Sequence, residues 1–201
     1  MTLYRYNLHL SQNVFTVISC FEVALRNAIN RELLPRLGND WLKDSVSING
    51  IFNQSSTQET QKAIQKEYLS LQKEGSYSHD KLLSVLSFGI WKYMFSKPQF
   101  SATQKCLLAI FPYRPKSSIF VQYNHNYIYK ELDNINKLRN RVAHNEPICF
   151  DKSKNAISTT YVRKKYAQVT KLLTWMGIDP ADLLYGLDHV LTICDKIDRL
   201  K

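Results

Sequence analysis

Arg139, Asn140 and His144 fall close together in the run Lys137-Leu138-Arg139-Asn140-Arg141-Val142-Ala143-His144-Asn145-Glu146-Pro147. These residue types suit the cleavage of a phosphodiester. Cutting RNA through its own 2′-hydroxyl needs a base for that hydroxyl, an acid for the 5′-oxygen and positive charge at the crowded phosphorus; in principle no metal is required. An imidazole serves both proton transfers near neutrality. A guanidinium presents a fixed, charged fork to phosphate oxygens, and an amide one turn from the histidine can donate to an oxygen or orient the ring. On a helix, at about 100° per residue, Asn140 and His144 share a face, whereas Arg139 lies roughly 140° round from His144. A single copy does not converge, but two copies packed across a twofold axis would.

The elements that must position these residues are helical by pattern. From Ser11, a good N-cap, apolar residues recur at Val14, Ile18, Phe21, Leu25, Ile29 and Leu33 and stop near Pro35 to Gly38, which predicts a long amphipathic first helix. Thr57 to Lys73 reads as a polar helix with a narrow stripe at Ile64, Tyr68 and Leu71. Ser78 caps the next, with Leu82, Val85, Leu86, Ile90, Tyr93 and Met94 inward, and a short helix follows from Ser101 to Ile110. Phe111-Pro112-Tyr113-Arg114-Pro115 breaks the pattern. The periodicity resumes at Ser117 with Ile119, Tyr123, Tyr127, Ile128, Ile135, Leu138 and Val142, a helix of about seven turns that Pro147 must stop, so His144 falls in its last turn. Thr159 or Thr160 opens a helix ending at Gly177, and Asp179-Pro180 supplies the cap and first-turn proline of the last one. Only residues 147–158 and 41–55 read as substantial loops or short extended pieces. The expected fold class is all-α, a bundle of long amphipathic helices in one domain over residues 1–201, with helices in 151–201 completing it.

Composition bounds the function. With 201 residues and 44% hydrophobic content the chain can bury a sizeable core. Only 6 Gly and 6 Pro, and no fixed repeat, argue against disordered, fibrous and solenoid classes. The longest apolar stretches, such as Leu82 to Phe95, are interrupted by Ser84, Ser87 and Lys92, so no membrane span is expected. The N-terminus lacks the pattern of a secretory signal. Cys20, Cys106, Cys149 and Cys194 lie far apart without zinc-site spacing and read as buried thiols in a reducing cytoplasm; no metal or cofactor is expected. Of the net charge of +10, residues 105–171 hold thirteen Lys and Arg against four Asp and Glu. Such a surface suits a polyanion such as RNA, because Lys and Arg contacts release counterions, although a basic surface kept for solubility has the same composition.

Arg139-Asn140-Arg141-Val142-Ala143-His144 matches the Arg-polar-x-x-x-His motif of HEPN ribonucleases, including the polar residue directly after Arg. The longer phrase from Lys137 to Ile148 resembles the signature of their Abi-like branch, associated with bacterial abortive infection of phage. Phe21-Glu22-Val23-Ala24-Leu25-Arg26-Asn27-Ala28-Ile29 is similar to that branch's early helix, and Leu86-Ser87-Phe88-Gly89-Ile90-Trp91 to its middle segment. The three phrases occur in family order and span residues 14–150. The resemblance implies an all-α HEPN bundle that dimerises through the motif helix, so that both motifs line one cleft. The implied activity is a metal-independent endoribonuclease of a phage-defence or toxin–antitoxin system. It makes Arg139 and His144 the catalytic pair and Asn140 the supporting polar residue. RNA is the implied substrate, a homodimer the active form, and an antitoxin RNA or protein a candidate further partner. Glu22 and Arg26, four apart on the first helix, either pair with each other or border the cleft, and Lys137 and Arg141 are candidate RNA-binding residues. Some HEPN toxins carry a tyrosine, to which AMP is attached, two residues after the motif histidine. Here that position is Glu146, which disfavours such control.

Structural roles compete with these. Arg139 could cap carbonyls or pair with Glu146, and His144 could be an ordinary helix-end histidine. The rival function is a non-catalytic RNA- or protein-binding HEPN module whose motif helix serves dimerisation. Tyr123 and Tyr127 fit a core or dimer interface better than base stacking. His79, His125 and His189 are expected at the surface or at helix ends, and Arg163-Lys164-Lys165 as a solvated helix face.

Overall fold

The computed structural model describes residues 2–151 and 153–200. Helix α1 runs Leu3–Leu37, followed by α2 (Trp41–Ser45), α3 (Gln58–Lys73), α4 (His79–Val85), α5 (Phe88–Tyr93), α6 (Lys97–Ala102) and α7 (His125–Ala143). A two-stranded antiparallel hairpin, β1 (Phe150–Asp151) and β2 (Ala156–Ile157), precedes α8 (Thr160–Trp175), α9 (Pro180–Leu183) and α10 (Val190–Asp198). Phe150 pairs with Ile157. The fold is therefore predominantly helical, as the periodicity predicts, and the short extended pieces fall inside the expected loop 147–158.

The chain is organised as two compact units. One takes the described parts of Met1–Val23, Phe111–Arg114 and Glu131–Lys201; the other takes Ala24–Ile110 and Pro115–Lys130. In the first, Val14 and Ile18 of α1, Leu138 of α7, Val169 of α8 and Val190 of α10 are buried around a common small void. In the second, Leu25, Ile29 and Leu33 of α1 are fully buried, as are Trp41, Phe52 and Ile64. Each fully buried Leu, Ile or Phe contributes about 1.5–3 kcal/mol before chain entropy is counted.

Several expected boundaries shift for local reasons. Helix α1 starts at Leu3 and not at Ser11, whose hydroxyl is buried inside the helix without a hydrogen-bond partner. By length and composition α1 could cross a bilayer, so it, and not Leu82 to Phe95, is the most membrane-like stretch; its apolar stripe is nonetheless buried within the protein. The single helix expected after Ser78 is two helices, broken at Leu86 and Ser87, which are extended. In a helix Leu86 and Phe88 would lie roughly 200° apart, whereas extended backbone puts residues i and i+2 on one side; both are buried. Val85 and Tyr93, expected inward, are exposed. The last helix is likewise two: Asp188 accepts from the Val190 amide and from the Tyr166 hydroxyl, which starts α10 afresh. Residues 41–55 contain the short α2 and a tight return in which Phe52 N–H donates to the Ser45 carbonyl at 2.9 Å. A Cβ at Gly50 would lie 2.3 Å from that carbonyl oxygen, so only glycine fits there.

The four thiols are free, and Cys149 and Cys194 are buried; burial raises Cys149 and pushes Cys194 up to about 11, well away from reactive thiolates. His79 and His125 stand at the first positions of α4 and α7, at helix ends as expected, and each has a partner distant in sequence. His125 Nδ1 lies 2.9 Å from the Phe95 carbonyl, to which it must donate, and its ring stacks on Phe100 at 4.6 Å. Asn30 Oδ1 accepts from Trp41 Nε1 at 2.7 Å and meets His79 Nε2 at 2.9 Å. An indole nitrogen only donates, so the amide atom is oxygen and His79 must donate from Nε2, leaving its Nδ1 buried without a partner. Burial pulls the His79 pKa below its usual 6.5, partly offset by Asp40.

Replacing Asn30 with leucine strands two donors in the interior and should destabilise the protein by about 1–3 kcal/mol in urea titrations. His79 is held neutral by the fold, so the stability it contributes is complete above pH 6.5 and falls as the pH drops below that value. His79→Gln, which keeps a donor but cannot titrate there, should flatten the slope of stability against pH between about 7.5 and 5.5. An unchanged slope would remove His79 from the acid response.

Candidate nucleic-acid site at the end of helix α7

Helix α7 begins where the Asn124 side chain accepts from the Asn126 and Tyr127 amides, at 3.0 and 3.2 Å. That side chain, with Ser117 and Ser118, is why the expected start at Ser117 fails. The Ser118 hydroxyl accepts from the Phe120 and Val121 amides and Ser117 from that of Tyr123, fixing a non-helical turn that leaves Ile119 89% exposed. From there Ile128, Leu132, Ile135, Leu138 and Val142 form a buried stripe, while Lys137, Asn140 and His144 are exposed on the opposite side. Asp133 and Lys137, one turn apart, pair at 2.8 Å.

The helix ends at Ala143, ahead of Pro147, so His144 follows its last turn. The His144 amide still donates to Asn140 at 3.0 Å, making His144 the C-cap; Asn145 then turns left-handed, with φ of +54°. Its amide donates to Val142 and the Glu146 amide to Arg141, the double closure of a Schellman motif, with Asn serving where Gly is usual. Beyond Pro147, the buried Ile148 amide donates to Asn7 Oδ1 of α1 at 2.8 Å. The exit of the motif helix is thus tied to the N-terminal helix.

The motif side chains are treated unequally. Arg139 is half-buried and Asn140 and His144 are exposed; among the described residues none of the three side chains has a hydrogen-bond or ion-pair partner. The structural role open to Arg139 is filled by Arg141. Its Nε donates to Glu146 at 3.2 Å, its Nη2 to the Pro147 carbonyl, and its Cζ sits 4.9 Å from the centre of the Tyr161 ring. Arg141 therefore braces the turn after His144 and is not a freely solvated cation. Glu22 is half-buried in the same unit as the motif. Arg26 belongs to the other unit, where its Nη1 donates to the Ser84 carbonyl at 3.3 Å.

A cleft of about 460 Å³ opens beside this turn, lined by Arg141, Glu146, Phe150, Asp151, Tyr161 and Lys164, with hydroxyls from Ser153, Ser158 and Thr160. Hydrogen bonds from the Ser153 hydroxyl and amide hold the Asp151 carboxyl below its usual range. The Arg163-Lys164-Lys165 run is not one solvated face. Arg163 binds Asp195 at 2.6 Å and Asp198 at 3.0 Å, and Lys165 is 7% exposed with its pKa lowered by burial; Lys164 alone of the three lines the cleft. Tyr161 was not singled out from sequence, since an aromatic at a helix start carries no signal until the hairpin brings the motif exit to it. A slightly larger cavity, about 490 Å³, lies in the other unit between α3, α5 and α6 and contains no motif residue. Tyr123 and Tyr127 pack edge to face at 4.9 Å, and Tyr129 lies 6.0 Å from Tyr93. Among the described residues no three His, Cys, Asp or Glu side chains group as a metal site.

Fold and site together define an all-α protein with a basic motif displayed at an ordered helix end beside a polar, aromatic cleft. The sequence matches the model of the Abi-like protein family over residues 1–149, and the chain belongs to that family. No curated protein and no solved structure matches it. The matched span ends just after the motif, so α8 to α10 lie outside it.

Asn7→Leu should leave the Ile148 amide unpaired and cost about 1–3 kcal/mol, read from the urea midpoint. Asn145→Gly should be tolerated, whereas Asn145→Val, forced to a positive φ, should lose about 1–3 kcal/mol. Equal stability of the glycine and valine forms would dismiss the left-handed closure.

Proposed function

We propose that this Abi-like protein is a metal-independent endoribonuclease of the HEPN type, acting in the cytoplasm in phage defence or as a toxin restrained by an antitoxin RNA or protein. The observation that carries this reading is the division of labour at the end of α7. Arg141 satisfies the turn, while Arg139, Asn140 and His144 keep their side chains uncommitted. Residues kept only for structure would be expected to find partners; uncommitted ones at an ordered position suit a substrate.

His144 would take the proton of the RNA 2′-hydroxyl or return one to the 5′-oxygen, Arg139 would bind the phosphate and its transition state, and Asn140 would donate to an oxygen or orient the imidazole. The 2′-oxygen forms a bond to phosphorus as the bond to the 5′-oxygen breaks, giving a 2′,3′-cyclic phosphate and a 5′-hydroxyl without consuming water. Because Arg139 and His144 lie roughly 140° apart on their helix, the full set is assembled by a homodimer that pairs two α7 helices across a twofold axis.

Purified protein incubated with mixed RNA in EDTA should cleave it to cyclic-phosphate ends. Arg139→Ala and His144→Ala should each lose at least ~100-fold in rate while folding normally. Folded variants that cleave as well as the parent would refute the assignment. RNA binding that weakens with salt, with no scission even by the intact motif, would favour a non-catalytic binding module. Sedimentation should show a dimer at micromolar concentration.

A further inference from the structure

A second cleft, this one basic, lies between the start of α1 and the end of α10, in the same unit as the motif. Its volume is about 420 Å³, and Tyr6, His9, Ile193, Lys196, Arg199 and Leu200 line it. Tyr6 and His9 are one turn apart on α1; Lys196 lies one turn beyond Ile193 on α10, and Arg199 follows that helix directly. Among the described residues no carboxylate lines the cleft, and the His9, Lys196 and Arg199 side chains have no partner.

The acidic residues of α10 do not relieve this concentration of positive groups. Asp195 and Asp198 are bound by Arg163, and Asp198 also accepts from the Thr159 hydroxyl at 2.7 Å. Helix α10 is thus sorted by charge, its carboxylates holding α8 and its cations facing the cleft. A phenol, an imidazole, an ammonium and a guanidinium can each donate a hydrogen bond, a set that fits the oxygens of a phosphate.

We propose that Tyr6, His9, Lys196 and Arg199 form a phosphodiester-binding subsite that holds the backbone of the RNA strand presented to the motif. This rests on the reading of RNA as substrate. The site is built partly from a helix beyond the span shared with the Abi-like family, so it would be a feature of this chain's own C-terminal region.

Binding of a labelled single-stranded DNA oligonucleotide, which has no 2′-hydroxyl to attack, separates this subsite from cleavage. Anisotropy measured across a KCl series should give a log–log salt slope about 1.4 smaller for Lys196→Gln/Arg199→Gln, two phosphate contacts at about 0.7 each, with thermal stability unchanged. Lys196→Arg should keep the parent slope. An unchanged slope in the folded double variant overturns the proposal, even if inorganic phosphate is found to bind the cleft, because that would mark a site for free anions only. If the slope falls as expected while the intact protein cuts no RNA, the subsite stands and the nuclease reading fails.

Discussion

Everything at the candidate site depends on how helix α7 ends. The last carbonyls of a helix lack partners within it and must find donors elsewhere. The left-handed Asn145 returns two amides to Arg141 and Val142, and Asn7 takes the next buried amide at Ile148. These bonds fix His144 at the cap and direct the chain into the hairpin. The hairpin in turn brings Phe150, Asp151 and Tyr161 to the same cleft as Arg141. Loosening that closure would move the histidine relative to everything it could act with.

The cations show a second constraint. Arg141, Arg163 and Lys171 are all held by carboxylates, and each tie joins elements that must stay together: the motif turn, α8 to α10, and α8 to α7. Most are at least partly solvated, so each is worth little alone, and their effect is chiefly to fix geometry. Against this background Arg139 within the motif, and Lys196 and Arg199 at the second cleft, are cations without such ties. Net charge alone makes no such distinction.

Where the sequence reading failed, short polar side chains or burial outweighed periodicity. Ile119 and Tyr123 fit the spacing of α7, yet Ser117, Ser118 and Asn124 offer the backbone other hydrogen bonds and the helix starts only at His125. Ser11 has the identity of a cap but lies in the middle of a longer helix. His79 and His125 look solitary because Asn30 and the Phe95 carbonyl, their partners, lie far away in sequence. Glu146, a possible partner for Arg139 by sequence, pairs instead with Arg141, a choice set by the path of the turn.

By itself the sequence determined the helical class, the apolar stripes of α1 and α7, the stop before Pro147 and the motif that places the chain in the Abi-like family. These depend on periodicity, backbone chemistry and local order, all of which are written along the chain. Only the tertiary structure decided which arginine braces the turn, that Tyr161 and the hairpin border the motif, and that α1 and α10 meet in a basic cleft. The first is set by the path of the turn, and the other two join residues far apart in sequence, selected by how the buried faces pack.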